Sequence, residues 1–317
     1  MSHANLNLLT TLKVLLETRH VGRAAELLCL SQPSISKQLA QLRRDFDDPL
    51  LVREGAVWRL TPRAEALRLE IGPTLESVQR LYAPPRFDPA ACRRTFRLAS
   101  SDYVAQYILP QIGAALTTAA PLASLEYLPW DKSQLPHLAE LPLDLVSTLT
   151  EHLPSGLVSQ PQGEDGLAVL MRTGHPYAAQ PLTRGVYLAA RHIRISGGGD
   201  KEGPVESALA TSGAARRWFA QVPFFQAAVG LLQHSDALLT TPAHIAWQLA
   251  RDHKLLLRPL PFPCSRQHYH LIWPQRLTHD PAHQWFRQLA FGFLSGHLHA
   301  TAKAASAALH HYQMESR

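Results

Sequence analysis

Residues 21–46 read "VGRAAELLCLSQPSISKQLAQLRRDF", two short amphipathic runs separated by the bare tripeptide at 29–31. In the second run Ile35, Leu39, Leu42 and Phe46 recur at spacings of four, three and four, so they share one face of an α-helix, and that face must be buried. Ser31 can cap its amino end. Gln32 and Pro33 suit a first turn whose backbone N–H groups lack intrahelical partners, and Arg43 and Arg44 sit near the carboxyl end, where cations are favoured. The opposite side carries Gln32, Ser36, Lys37, Gln41 and Arg44: short or amide side chains in front and cations behind, a surface suited to reading base edges and holding phosphates. The first run sets Ala24, Ala25, Leu27 and Leu28 on a helix whose alanines permit close approach, and the tripeptide leaves room only for a tight turn. This is a helix-turn-helix pattern, although any αα-hairpin shares the spacing.

Residues 47–67, "DDPLLVREGAVWRLTPRAEAL", supply context: a short β-prone segment, a Gly-containing turn, a second short segment, then Thr61 and Pro62 opening another helix. They read as a wing followed by a long helix. Arg53 and Arg59 flank the hairpin, where cations meet the phosphate backbone or enter the minor groove; two solvated surface arginines would look the same in sequence.

Through "AAELL", "LSQPSISKQLAQLR", "DPLLVR" and "LTPRAEAL", about the first 65 residues resemble the winged helix-turn-helix of LysR-type transcriptional regulators. The resemblance implies that Gln32, Pro33, Ser36 and Lys37 form the DNA-facing front of the recognition helix and that Arg53 lies at the wing. Ser34, Gln41, Arg44, Arg59 and Thr61 complete the candidate DNA-binding set. Two positions depart from the family pattern. Asp47 stands where a helix-ending Gly is usual, so an Asp must adopt a left-handed conformation at a cost of about 1 kcal/mol. Leu51 replaces the usual Phe, a change in core packing.

Between residues 63 and 82, Ala66, Leu69, Leu75, Val78 and Leu81 form one apolar stripe on an exposed helix, which needs a partner. In the family this linker helix pairs with that of a second chain; Gly72 and Pro73 should bend it. The proline-rich "APPRFDPAACRR", with Pro84, Pro85 and Pro89, reads as a stiff connector. Beyond it short apolar strand candidates ("TFRLAS", "SLEYLPW", "PLDLVSTL", "LAVLMR", "HIRIS", "DALLTT", "HYHLIWPQ") alternate with helical or turn segments, the pattern of an α/β domain. "FRLASSDYV", "MRTGHP", "SDALLTTPAHIAWQLA" and "WPQRLTHDPAHQWFRQL" resemble the effector-binding half of the same family, especially its branch of nodulation and aromatic-degradation regulators. "ELPLDL" lacks the family's usual Gly before Asp144, and Glu206 stands where Asp is common.

The expected fold is α/β overall: a winged helix-turn-helix at 1–62, a linker helix and hinge at 63–94, and a two-subdomain, periplasmic-binding-protein-like effector domain at 95–296. Subdomain I takes about 95–166 and 273–294, subdomain II about 167–272, and 297–317 is a loosely attached tail. Open α/β sheets bind ligands beyond the carboxyl ends of their strands, which nominates Ser100, Ser101, Tyr103, Ser147, Thr148, Ser196, Thr240 and Thr241, with Phe224 as an apolar wall.

The 317 residues, 46% apolar and 18% charged, suit a soluble protein of two or three domains. The net charge of +6 weakly favours a polyanionic partner. Three scattered cysteines argue against disulfides and a thiolate zinc site; of the 17 histidines, His268 and His270, His297 and His299, and His310 and His311 fall at loose spacings that read as surface groups, with a metal site or pH sensor as the alternative. "SGGGD" at 196–200 lacks phosphate-loop spacing, and no catalytic signature appears, so an enzyme is not expected. A solute-binding protein would share the cleft but has no use for the first 65 residues. The expectation is a cytoplasmic regulator with no cofactor beyond an unidentified small-molecule effector; the alternative is a LysR-like regulator acting without a ligand, since the departures at Leu141 and Glu206 fall near elements that shape the cleft. Its partners would be double-stranded promoter DNA, further copies of itself as homodimer or homotetramer, and RNA polymerase, with no membrane.

Overall fold

The computed structural model describes residues 6–55, 57–82, 87–196 and 203–315. Two stretches singled out above, 83–86 with Pro84 and Pro85, and 197–200 of "SGGGD", lie outside the described residues. The chain divides into two compact units, 1–85 and 86–317.

In the first unit α1 (Leu9–Thr18), α2 (Val21–Leu27) and α3 (Gln32–Phe46) enclose a core of Leu12, Leu15, Leu16, Ala24, Ala25, Ile35, Leu39 and Leu42. Ala24 and Ala25 admit the neighbouring helices closely, whereas Leu27 points to solvent. β1 (Leu51–Glu54) and β2 (Val57–Leu60) form an antiparallel hairpin that pairs Leu51 with Leu60 and Arg53 with Trp58. Leu51 is buried in the core. α4 (Pro62–Tyr82) runs through Pro73, which has no N–H to offer the Leu69 carbonyl. Its apolar residues divide between two faces instead of forming one stripe. Ala64, Leu67, Ile71 and Leu75 pack onto the head's core, while Leu69, Val78 and Leu81 are exposed.

The second unit holds two five-stranded mixed sheets. β3 (Thr95–Ser100), α5 (Asp102–Tyr107), α6 (Leu109–Ala119), β4 (Ser124–Pro129), β5 (Leu145–Leu149) and β6 (Leu157–Asp165) begin the first. At Gly166 the chain crosses into β7 (Leu167–Arg172), α7 (Arg184–Ala189), β8 (Arg191–Ile195), α8 (Gly203–Ala210), β9 (Arg217–Val222), α9 (Phe225–Gln233), β10 (Ala237–Pro242), α10 (Ala243–His253) and β11 (Leu255–Pro259). It returns through β12 (Gln267–Pro274) and ends in α11 (Pro281–Glu315). The sheet orders are β4-β3-β5-β12-β6 and β11-β7-β10-β8-β9. β5 (LVSTL) and β10 (ALLTTP) are buried along their whole length, which is why neither shows the apolar–polar alternation of a half-exposed strand.

Two sequence expectations need correction. The return strand begins at Gln267, not near Trp273, because its ladder to β6 starts with Gln267 opposite Asp165. Residues 297–315 are no loose tail: they continue α11, with Leu298, Thr301 and Ala305 buried and Arg258 stacked 4.3 Å over the Tyr312 ring. Large anchors are few there because small side chains let α11 lie close against α10.

The family departures have local compensation. Asp144 accepts from the Arg97 amide at 2.8 Å and pairs with Arg94, which also reaches Asp280. Glu206 pairs with the fully buried Arg216 side chain.

His192 on β8 is fully buried and donates from Nε2 to the Tyr187 carbonyl at 2.8 Å. Burial, opposed in part by that bond and reinforced by Arg216, pushes its pKa down to about 4 from 6.5. Burial also lowers the values of His270, His283 and His297. The folded state holds His192 neutral while the unfolded chain protonates it, so its stabilising effect is complete above pH 6.5 and lost as pH falls toward 4, by about 3 kcal/mol. Denaturant titrations followed by tryptophan fluorescence should give a lower midpoint at pH 4.5 than at pH 7, with a smaller difference in His192→Gln; equal midpoints in the wild type would contradict this.

Candidate functional site

Ser31 caps α3 from an extended conformation, its Oγ accepting the Ser34 amide at 3.3 Å and sharing a 2.8 Å bond with Ser34 Oγ. The turn before it is closed by Cys29 at φ 54° and by the Leu30 amide, which donates to the Ala25 carbonyl at 3.0 Å. On the inner side, Thr11 Oγ1 donates to Gln38 Oε1 at 2.6 Å and ties α1 to α3. Gln32, Pro33, Ser34, Ser36, Lys37 and Arg44 remain exposed, and Lys37 carries no ion pair among the described residues. Gln41 is half-buried and donates to Asp45 at 2.7 Å while accepting from Arg44.

The wing hangs on the end of α3. Asp47 adopts φ 49°, ψ 43°, the left-handed conformation expected where a Gly is missing. Arg43 donates to the Pro49 and Leu51 carbonyls at 2.8 and 2.9 Å, and the Asp48 carboxylate accepts from the Leu50 amide and Thr61 Oγ1, both at 2.7 Å. Thr61 Oγ1 also accepts the Ala64 amide at 3.1 Å, so this hydroxyl is occupied in capping α4. On the hairpin, Arg53 donates to the Gly55 carbonyl at 3.1 Å and Arg59 pairs with Glu54 at 2.7 Å, with both arginines exposed.

In the second unit Ser100, Ser101, Tyr103, Ser147 and Thr148 line one cavity between the two halves, with about 40 Å³ open to the centres of water-sized groups. Ser100 Oγ donates to the Ser147 carbonyl at 2.7 Å, and Ser147 Oγ to Gln162 Oε1 at 2.9 Å. Tyr103 OH shares a 2.8 Å bond with His297 Nε2, and Asp165 accepts from the His244 amide and Nδ1 at 2.7 and 2.8 Å. Burial raises the pKa of Tyr103 and Tyr269 and lowers that of His297, so all three are held neutral. Thr148 Oγ1, Gln162 Nε2 and Tyr269 OH are buried in the wall without a hydrogen-bond partner among the described residues. A wider recess beside it, about 480 Å³, is bordered by Lys132, Leu149, His152, Pro204 and Arg266.

The other four expected residues are elsewhere. Ser196 is exposed and bonds the Val222 carbonyl, Phe224 is exposed, the Thr240 hydroxyl meets Tyr187 OH at 2.8 Å inside the second half, and Thr241 is buried outside the cavity. Gln162, His244, Tyr269 and His297 complete the polar part of the wall and lie outside the expected set. Gln162 and Tyr269 sit within strands, not beyond their ends, and His297 belongs to the helix that reads as a tail.

Residues 6–65 match the family model described as the bacterial regulatory helix-turn-helix protein of the lysR family, and residues 91–292 match the LysR substrate binding domain. The chain belongs to the LysR family of transcriptional regulators. It is 29% identical over 289 residues to the HTH-type transcriptional activator NahR of Pseudomonas putida, covering 90% of this chain and 96% of NahR. With the regulator SyrM of Rhizobium etli it shares 31% over 291 residues, 91% and 86% of the two chains. The crystal structure of a probable transcriptional regulator from Pseudomonas aeruginosa superposes with a TM-score of 0.58 at 31% identity, covering 92% of this chain and 98% of that one. Nodulation proteins D are further relatives, in the branch the sequence points to. LysR membership makes this a DNA-binding regulator and not an enzyme. Among the described residues no helix is long and apolar enough to cross a membrane.

In this LysR head Asp47 combines a left-handed backbone with a carboxylate at a helix carboxyl end, both unfavourable. Asp47→Gly should stabilise the protein by about 0.5–1 kcal/mol in chemical denaturation; an unchanged or lowered midpoint for the first unit would show that the Asp is compensated.

Proposed function

We propose that this LysR-family chain reads promoter DNA with the exposed front of α3 and responds to a small molecule bound in the cavity of its second unit. Gln32, Pro33, Ser36 and Lys37 would face base edges in the major groove, with Ser34 holding the cap, Arg44 and Gln41 behind, and Arg53 and Arg59 on phosphates or in the minor groove. Thr61 positions α4 and is left out of the surface. The observation that carries effector control is the wall of the cavity. Three buried polar atoms there lack partners, a state that costs free energy until a ligand or water supplies them.

The exposed Leu69, Val78 and Leu81 on α4 support self-association, in a homodimer or homotetramer. Two heads would then meet half-sites about 34 Å apart or a multiple of that. A ligand that favours one arrangement of the two halves would shift how the heads engage DNA, and with it contact to RNA polymerase. A regulator of this kind works in the cytoplasm.

Fluorescence anisotropy on DNA from upstream of its own gene, against scrambled DNA across a salt series, tests the reading surface. The wild type should keep its preference as salt rises, and the double variant Ser36→Ala, Lys37→Ala should lose about tenfold or more of specific affinity. Discrimination unchanged by the double variant would reject the assignment of these two residues.

A further inference from the structure

The cavity is specific in its charge as well as its shape. Gln162 Oε1 is engaged by Ser147 Oγ, which leaves Gln162 Nε2 a buried donor without a partner among the described residues, and the Thr148 and Tyr269 hydroxyls of the same wall are likewise unpartnered. Gln162 and Thr148 are each only 3% exposed, so what they meet is decided inside the cavity. No Lys or Arg lines it among the described residues, and its two histidines are engaged by Asp165 and by Tyr103.

Two carboxylates lie next to its wall, whereas the cations Lys132 and Arg266 border the wider recess beside it. Asp165 is buried against His244, and Asp102, in the first turn of α5, reaches across to accept the Phe225 amide at 2.6 Å. Phe225 opens α9, and its preceding residue, Phe224, supplies no side-chain cap. The protein's own carboxylate therefore fills the helix terminus of the second half that an anion would otherwise find attractive. A carboxylate ligand would enter as a further negative charge, desolvated and met by neutral donors alone. An uncharged acceptor satisfies the same donors without that cost. Val104, Ile108, Leu149 and Leu294 offer apolar surface for the rest of the molecule, and Tyr269 stands edge-on to His244 with centroids 5.2 Å apart.

We propose that the cavity takes an uncharged ligand that presents a hydrogen-bond acceptor, such as the carbonyl of an aromatic amide or a phenol oxygen, and discriminates against carboxylates. The inference rests on the effector reading above and gives that ligand its chemical class. Gln162 and Thr148 orient the acceptor; Asp102 and Asp165 exclude the anion.

Benzamide and benzoate are nearly the same shape and differ in charge at neutral pH. Calorimetric and ligand-observed NMR titrations of the full-length protein with each should give a dissociation constant at least about tenfold lower for benzamide. Benzamide binding should fall in Gln162→Leu and in the isosteric Thr148→Val, each checked for native circular dichroism. Asp102→Asn, which keeps an acceptor for the Phe225 amide, should narrow the preference by raising benzoate affinity. Benzoate binding as tightly as benzamide, with the same sensitivity to Gln162→Leu and Thr148→Val, would overturn the charge class and leave the effector cavity standing. If neither probe binds at millimolar concentration in a manner sensitive to those two substitutions, the cavity holds water only, and both the inference and the cavity assignment fall.

Discussion

The carboxylate of Asp165 is where the two halves of the second unit are held to one another. It is the last residue of β6 in the first sheet, and it faces Gln267, the first residue of the returning β12. Its oxygens take the Gly166 amide at the outward crossing and the His244 amide and ring at the start of α10 in the second half. Both crossings of the chain thus meet at one buried negative charge. Such a charge survives in a protein interior only when hydrogen-bonded, and removing a partner costs several kcal/mol. With Asp165 fixed, β6, β12 and α10 are fixed relative to one another, which is what sets Gln162, Tyr269 and His244 around one cavity.

α11 imposes the second constraint. Phe286, Ala290 and Leu294 belong to the core of the first half, while Ala305 and Leu309 pack into the core of the second. One unbroken helix therefore runs through both, and any change in the angle between the halves must bend it or slide its alanine-rich end along α10. Close-packed interfaces answer such demands by switching between discrete arrangements more readily than by deforming smoothly. His297 on α11 reaches Tyr103, and both line the cavity, so the helix that spans the halves is part of its wall.

The elements legible in the sequence are those whose signals are local. The periodicity of Ile35, Leu39 and Leu42, the Ser31 cap, and even the left-handed Asp47 follow from a few neighbouring residues, and all are found in the structure. The alternation of strands and helices also declares the α/β unit. The cavity is only half legible, because its wall is made by pairing distant segments: Gln162 on β6 and Tyr269 on β12 meet across an antiparallel ladder. Thr240 shows the converse, a hydroxyl near a strand's carboxyl end that turns into the core to meet Tyr187. The second half of α11 was illegible for another reason. Helix-to-helix packing through Ala and Thr buries little apolar surface per residue, so hydropathy carries almost no trace of it.

The two surfaces proposed for binding handle charge in opposite ways. In the head, Arg43 and Asp48 are turned inward onto the backbone, where they hold a turn containing two non-glycine left-handed residues, Asp47 and Leu50. That leaves Lys37 and Arg44 exposed on the face proposed to meet DNA, whose phosphates dominate affinity. In the second unit the inward charges are carboxylates, Asp102 and Asp165, and both are spent on backbone amides of the opposite half. Neither lines the cavity, which among the described residues has no Lys, Arg, Asp or Glu in its wall. Salt would therefore modulate the grip on DNA strongly and the grip on a small molecule hardly at all, because mobile ions screen exposed charges and have no charge to screen in a neutral ligand. With the neutral ligand proposed above, sensing would be independent of the ionic conditions that set overall occupancy of DNA.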